Sequence, residues 1–67
     1  MDLKRLGETI RKLRTTRGLT QEKLAELANV DPKTIIQLEG GKRDNPTMNT
    51  LSNIAKILDV SLKELLN

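Results

Sequence analysis

Cysteine, histidine and every aromatic side chain are absent from the 67 residues. Without cysteine there is no disulfide framework, thiolate site or redox sulfur; with histidine missing as well, the usual zinc ligands are gone, and neither metal nor cofactor is expected. The lack of aromatics removes the stacking platforms that grip single-stranded nucleic acid. No apolar run approaches the roughly 20 residues needed to cross a bilayer, and the N-terminus lacks the continuous apolar core of a signal peptide. A soluble, cytoplasmic chain with no membrane partner is the expectation. Nor is the chain expected to be an enzyme: its carboxylates are scattered, and no nucleophile-elbow pattern occurs.

What remains is a sequence of Leu, Ile, Val and Ala at helical spacing, long enough for one domain over residues 1–67. A core this small supplies only about 3 to 5 kcal/mol of net stability. Leu3, Leu6, Ile10 and Leu13 recur at three- and four-residue intervals and predict a first helix that Gly18 ends near Arg17. Thr47 caps a helix with Leu51, Ile54, Ala55 and Leu58 on its buried face. Ser61 and Glu64 have capping-box spacing for a last short helix carrying Leu62, Leu65 and Leu66. No internal repeat, low-complexity tract or linker stands out, although residues 40–46 are rich in loop formers.

Thr20 to Glu39 carries the functional signal. Thr20 is a good N-cap, Leu24, Ala25 and Ala28 share one helical face, and Asn29 suits the left-handed conformation that ends a helix. Val30 takes the corner, Asp31 caps a second helix, and Pro32 sits at its first position, where a missing N–H costs nothing. Ile35 and Leu38 face back toward Leu24 and Ala28, leaving Lys33, Thr34, Ile36 and Gln37 over the remaining surface. Two short helices about a tight turn, the second with polar residues to spare, read as a DNA-binding helix-turn-helix.

The net charge is +3, with a sequence pI near 9.6. Residues 1–17 hold six Lys or Arg against Asp2 and Glu8, whereas residues 18–39 hold two against Glu22, Glu26, Asp31 and Glu39. The positive charge therefore flanks the reading segment, with Lys42 and Arg43 just beyond it, and is placed to hold phosphates on either side.

Gly18-Leu19-Thr20-Gln21, Leu24-Ala25, Ile35 through Glu39 with Gly41 two beyond, Pro46-Thr47, Leu51, Ile54-Ala55 and Val60-Ser61-Leu62 together resemble the phage-repressor and Cro-like (Xre-type) helix-turn-helix domains. The resemblance covers nearly the whole chain. It implies an all-α, five-helix, lambda-repressor-like bundle whose second helix crosses the DNA backbone and whose third enters the major groove, usually as a dimer on a palindromic site. It further implies a transcription regulator with double-stranded DNA as partner; an antitoxin-like protein-interaction module, or a domain of a larger protein, is the alternative.

Residue roles follow from the resemblance and from side-chain chemistry together. Gln21, at a helix start where N–H groups favour an anion, looks like the family's phosphate-contacting glutamine, against simple solvent exposure. Lys33 and Gln37 occupy base-reading positions; lysine donates to guanine and glutamine pairs with adenine. Ile36 either meets a thymine methyl or is partly buried against a neighbouring helix, and Pro32 is placed to touch a sugar or methyl. Thr34 either donates to a phosphate or bonds its own preceding turn. Gly41, Lys42 and Arg43 are read as a phosphate clamp of backbone N–H groups and cations. Arg14 and Glu39 are assigned as a structural ion pair, as in relatives. Ile57, Leu62 and Leu66 are candidates for an exposed apolar patch in a homodimer formed mainly on DNA.

Overall fold

The structure, a computed structural model, describes residues 2–42 and 46–67. It contains α1 (Leu3–Thr16), α2 (Gln21–Ala28), α3 (Pro32–Glu39), α4 (Met48–Ile57) and α5 (Leu62–Leu66). Among the described residues every regular element is helical, as the periodicity predicts. One core holds the bundle together, formed by Leu6, Ile10, Leu24, Ala25, Ala28, Ile35, Leu38, Leu51, Ile54, Ala55, Leu58 and Leu65. α3 packs on α1 and α2, α2 on α4, and α5 on α1 and α4.

Each helix starts with a side-chain oxygen accepting from a first-turn amide: Asp2, Thr20, Asp31, Thr47 and Ser61 all do so. Ser61 and Glu64 form the full reciprocal box. The cap at Asp2 extends the reading of the first helix, whose start the apolar spacing alone leaves unmarked.

The first four helices end in the same way. Gly18, Asn29, Gly41 and Asp59 each have positive φ (69°, 57°, 67° and 57°). The following amide then reaches back to a carbonyl five residues earlier: Leu19 to Arg14 at 3.1 Å, Val30 to Ala25 at 2.9 Å, Lys42 to Gln37 at 3.0 Å and Val60 to Ala55 at 3.0 Å. This two-bond closure satisfies carbonyls the helix would otherwise leave open. It commonly brings an apolar residue back onto the helix, and Leu19, Val30 and Val60 do pack against the core. The end of α3 differs: the equivalent residue is the exposed Lys42.

Gly7 brings α1 and α3 together. A Cβ there would collide with the carbonyl oxygen of Leu38 and stand 3.0 Å from that of Glu39. The cost of glycine inside a helix, about 0.5 to 1 kcal/mol against alanine, is thus offset by backbone-to-backbone approach.

Candidate nucleic-acid interface

The outer side of α3 is assembled by its own start and held by its end. Asp31 Oδ1 accepts from Lys33 N at 2.9 Å, and Pro32 pre-sets the backbone of the first turn. Ile35 and Leu38 anchor the inner side at 0% and 2% exposure. Pro32, Lys33 and Ile36 are exposed and Gln37 is half-buried. Ile36, at 53%, is among the most exposed large apolar side chains of the domain, which removes burial as its explanation. The expected readers therefore share an outward-facing region combining cationic, amide and apolar chemistry.

Thr34 departs from expectation. It is 8% exposed and lies in a shallow depression with Asp31, Lys33 and Gln37. The helical turn that sends Ile35 and Leu38 inward carries Thr34 with them, so it does not stand out as a surface phosphate donor.

The Gly41–Lys42 clamp is also corrected in part. The N–H of Gly41 donates to Leu38 O at 3.1 Å and that of Lys42 to Gln37 O at 3.0 Å, while Gly40 N–H donates to Ile36 O. These amides close α3 rather than forming an open anion nest, so Gly41 serves as a helix terminator. What the loop offers is the Lys42 side chain, exposed where the other three closures put an apolar residue. Arg43, the clamp's other expected cation, lies outside the described residues.

Behind α3 sits the expected ion pair. Arg14 Nε donates to Glu39 Oε2 at 2.6 Å and Arg14 Nη2 to Glu39 Oε1 at 3.0 Å; their side chains are only 11% and 4% exposed. Arg14 Nη1 also donates to the Leu19 carbonyl at 2.7 Å. Gln21 joins the same group, its Nε2 donating to Glu39 Oε1 at 3.1 Å. The half-buried anchor candidate is therefore bonded to the structural pair rather than loose at the surface. Gly7, which the sequence reading passes over, also supports this arrangement; a glycine interrupting an apolar helical pattern was the available signal.

The dimer candidates Ile57, Leu62 and Leu66 are half-buried and packed against the domain's own core. Each therefore divides its apolar surface between the core and the outside rather than standing fully exposed. Among the described residues no cluster of potential metal ligands occurs, and no helix is long and apolar enough to cross a membrane.

An exposed α3 face, rigidly mounted on a cap-and-turn with α2, defines a helix-turn-helix module. Residues 10–65 match the helix-turn-helix family model. The chain is 39% identical over 66 residues to the uncharacterized HTH-type transcriptional regulator y4dJ of Sinorhizobium fredii, covering 97% of this chain and 84% of that protein. Its fold matches the restriction-modification controller protein C.AhdI from Aeromonas hydrophila with a TM-score of 0.90, 36% identity and 96% coverage of both chains. SinR, a master regulator for biofilm formation solved in complex with DNA, superposes with a TM-score of 0.88 at 31% identity, covering 92% of this chain and 98% of that one. Some relatives are longer: the chain spans 43% of the length of the Bacillus subtilis regulator RghRB. The protein belongs to the helix-turn-helix family of DNA-binding transcription regulators.

Proposed function

We propose that the chain binds a palindromic operator in double-stranded DNA as a homodimer, with α3 in the major groove, and regulates transcription by occupying that site. The observation that carries this reading is the outward face of α3: Pro32, Lys33 and Ile36 are exposed, with Gln37 beside them, on a helix whose other side is buried. Lysine and glutamine supply hydrogen bonds that distinguish base edges, and isoleucine supplies an apolar contact for a thymine methyl. Lys42 and Gln21 flank that face as phosphate contacts, so affinity and sequence choice come from different side chains. No step of bond making is required of the protein, which in this reading works in the cytoplasm.

Selection of binding sites from a random double-stranded DNA pool, at a stated salt concentration, tests the reading. The expected result is a short motif repeated with two-fold symmetry at helical-turn spacing. Recovery of unrelated sequences would remove sequence-specific operator binding; a single unrepeated half-site would remove the dimer.

A further inference from the structure

We propose that Asp31, beyond capping α3, is a specificity-determining residue that selects a cytosine, its carboxylate accepting from the amino group that this base shows in the major groove. The proposal deepens the operator-binding reading and rests on it. Asp31 is exposed, stands immediately before the first residue of α3, and lines one shallow depression together with Lys33, Thr34 and Gln37. Two of those neighbours are the lysine and glutamine of the reading face. The concavity therefore joins an anionic acceptor to groups that donate to base edges.

The cap decides which atom is on offer. Asp31 Oδ1 accepts from Lys33 N at 2.9 Å, which fixes the carboxylate and leaves Oδ2 as the oxygen without a capping duty. An ionised carboxylate only accepts, so it is attracted by an exocyclic amino group and repelled by guanine O6 and N7 or by thymine O4. Cytosine and adenine both carry such an amino group, but adenine sets N7, a further acceptor, beside it, which favours cytosine. A negative side chain gains nothing from the phosphates around it, so Asp31 contributes by rejecting wrong edges rather than by adding general affinity.

The test is selection from a random double-stranded pool with three chains: the natural one, Asp31→Asn and Asp31→Ser. Asparagine and serine cap helices about as well as aspartate, and thermal melting checks that each variant folds. In Asp31→Asn the amide oxygen keeps the cap while the amide nitrogen, a donor, takes the place of Oδ2; in Asp31→Ser nothing takes it. The natural chain should prefer cytosine about tenfold at one position of each half-site. Asp31→Asn should move that preference to guanine or thymine, and Asp31→Ser should level it. The same preferences from all three chains over an intact motif would overturn the proposal and leave Asp31 as a cap, as would a shift from any base other than cytosine. No motif from any chain would remove operator reading itself, and this proposal with it.

A second measurement changes the base instead of the protein. Replacing the selected cytosine by pyrimidin-2-one, which lacks the amino group, should weaken binding of the natural chain about tenfold more than binding of Asp31→Ser. Equal losses in the two chains would overturn the contact.

Discussion

The α2–α3 and α4–α5 joints share one backbone solution and differ in what they present. Each has an alanine whose carbonyl accepts the closing bond, a non-glycine residue with positive φ, a valine turned to the core, and a capping residue that starts the next helix. Their tethers differ: Arg17, the residue that follows α1, donates to the Leu58 carbonyl at 2.9 Å and pairs with Asp59 at 3.5 Å at the α4–α5 joint, whereas Arg14 of α1 holds the Leu19 carbonyl and Glu39, at the outer ends of α2 and α3 rather than at their turn. Beyond the turn they part. α3 has eight residues and an exposed outer face carrying Pro32, Lys33 and Ile36, whereas α5 has five and turns its leucines to the core. The same turn therefore leads in one case to a helix with an exposed outer face and in the other to a short helix that closes the core.

The largest expected contrast lies in the two ion pairs. Removing one partner of the nearly buried Arg14–Glu39 pair leaves a charge without its counterion, a loss of about 3 to 5 kcal/mol for Glu39→Ala. Asp59→Asn keeps a residue that tolerates the left-handed conformation and removes only a pair whose side chains are 42% and 87% exposed. It should change stability by less than about 1 kcal/mol. Urea denaturation of both variants measures the difference; similar midpoints would erase the distinction between a buried strut and a surface contact.

DNA binding supplies the next contrast. Lys33 and Lys63 each stand two residues after the cap of their helix, Asp31 and Ser61 respectively, and both are exposed. Lys33→Ala should cost about 1 to 3 kcal/mol and relax preference at a single base position. Lys63→Ala should leave that preference as it was. A uniform loss over all sequences from Lys33→Ala would reduce that lysine to a phosphate contact.

The joints should respond alike to a backbone challenge. Valine at position 29 or 59 must adopt the left-handed region that β-branched residues avoid, so Asn29→Val and Asp59→Val should each lose about 1 to 2 kcal/mol. Melting temperatures of the two variants check this. A loss at only one joint would show that the shared hydrogen bonds conceal unequal strain.

Much of this pattern was legible because caps and turns are local chemistry. Thr20, Asn29, Asp31, Thr47 and the Ser61–Glu64 pair lie within a few residues of the groups they satisfy. The parts that escaped depend on how helices meet. Gly7 matters because of a carbonyl on α3, and Gln21 is oriented by a carboxylate at the far end of that helix. Thr34 is drawn inward by packing, and the Gly41 and Lys42 amides, which spacing offers to a phosphate, close α3 instead. Spacing identifies faces; it does not reveal which polar atoms on those faces already have partners.

The smallest contrast is electrostatic. Glu26 and Lys56 each follow the alanine that accepts the closing bond of its helix, Ala25 in α2 and Ala55 in α4. The partial negative charge of a helix C-terminus favours the lysine and opposes the glutamate. Lys23 offsets this in α2: its Nζ lies 2.8 Å from Glu26 Oε1, and this hydrogen bond, followed by the attraction of its charge, lowers the Glu26 pKa from 4.5. A lowered folded-state value means that the stabilisation is complete above the ordinary glutamate range and is lost as pH falls through the folded value. The pair is exposed, so an NMR titration of the Glu26 carboxyl is a more sensitive readout than a melt. Lys23→Met should return the midpoint toward the ordinary value or above it, since the helix end then acts on the carboxylate alone. An unchanged midpoint would mean that Lys23 is not what makes a carboxylate tolerable at the end of α2, and the two joints would then differ in the field of their turns as well as in their side chains.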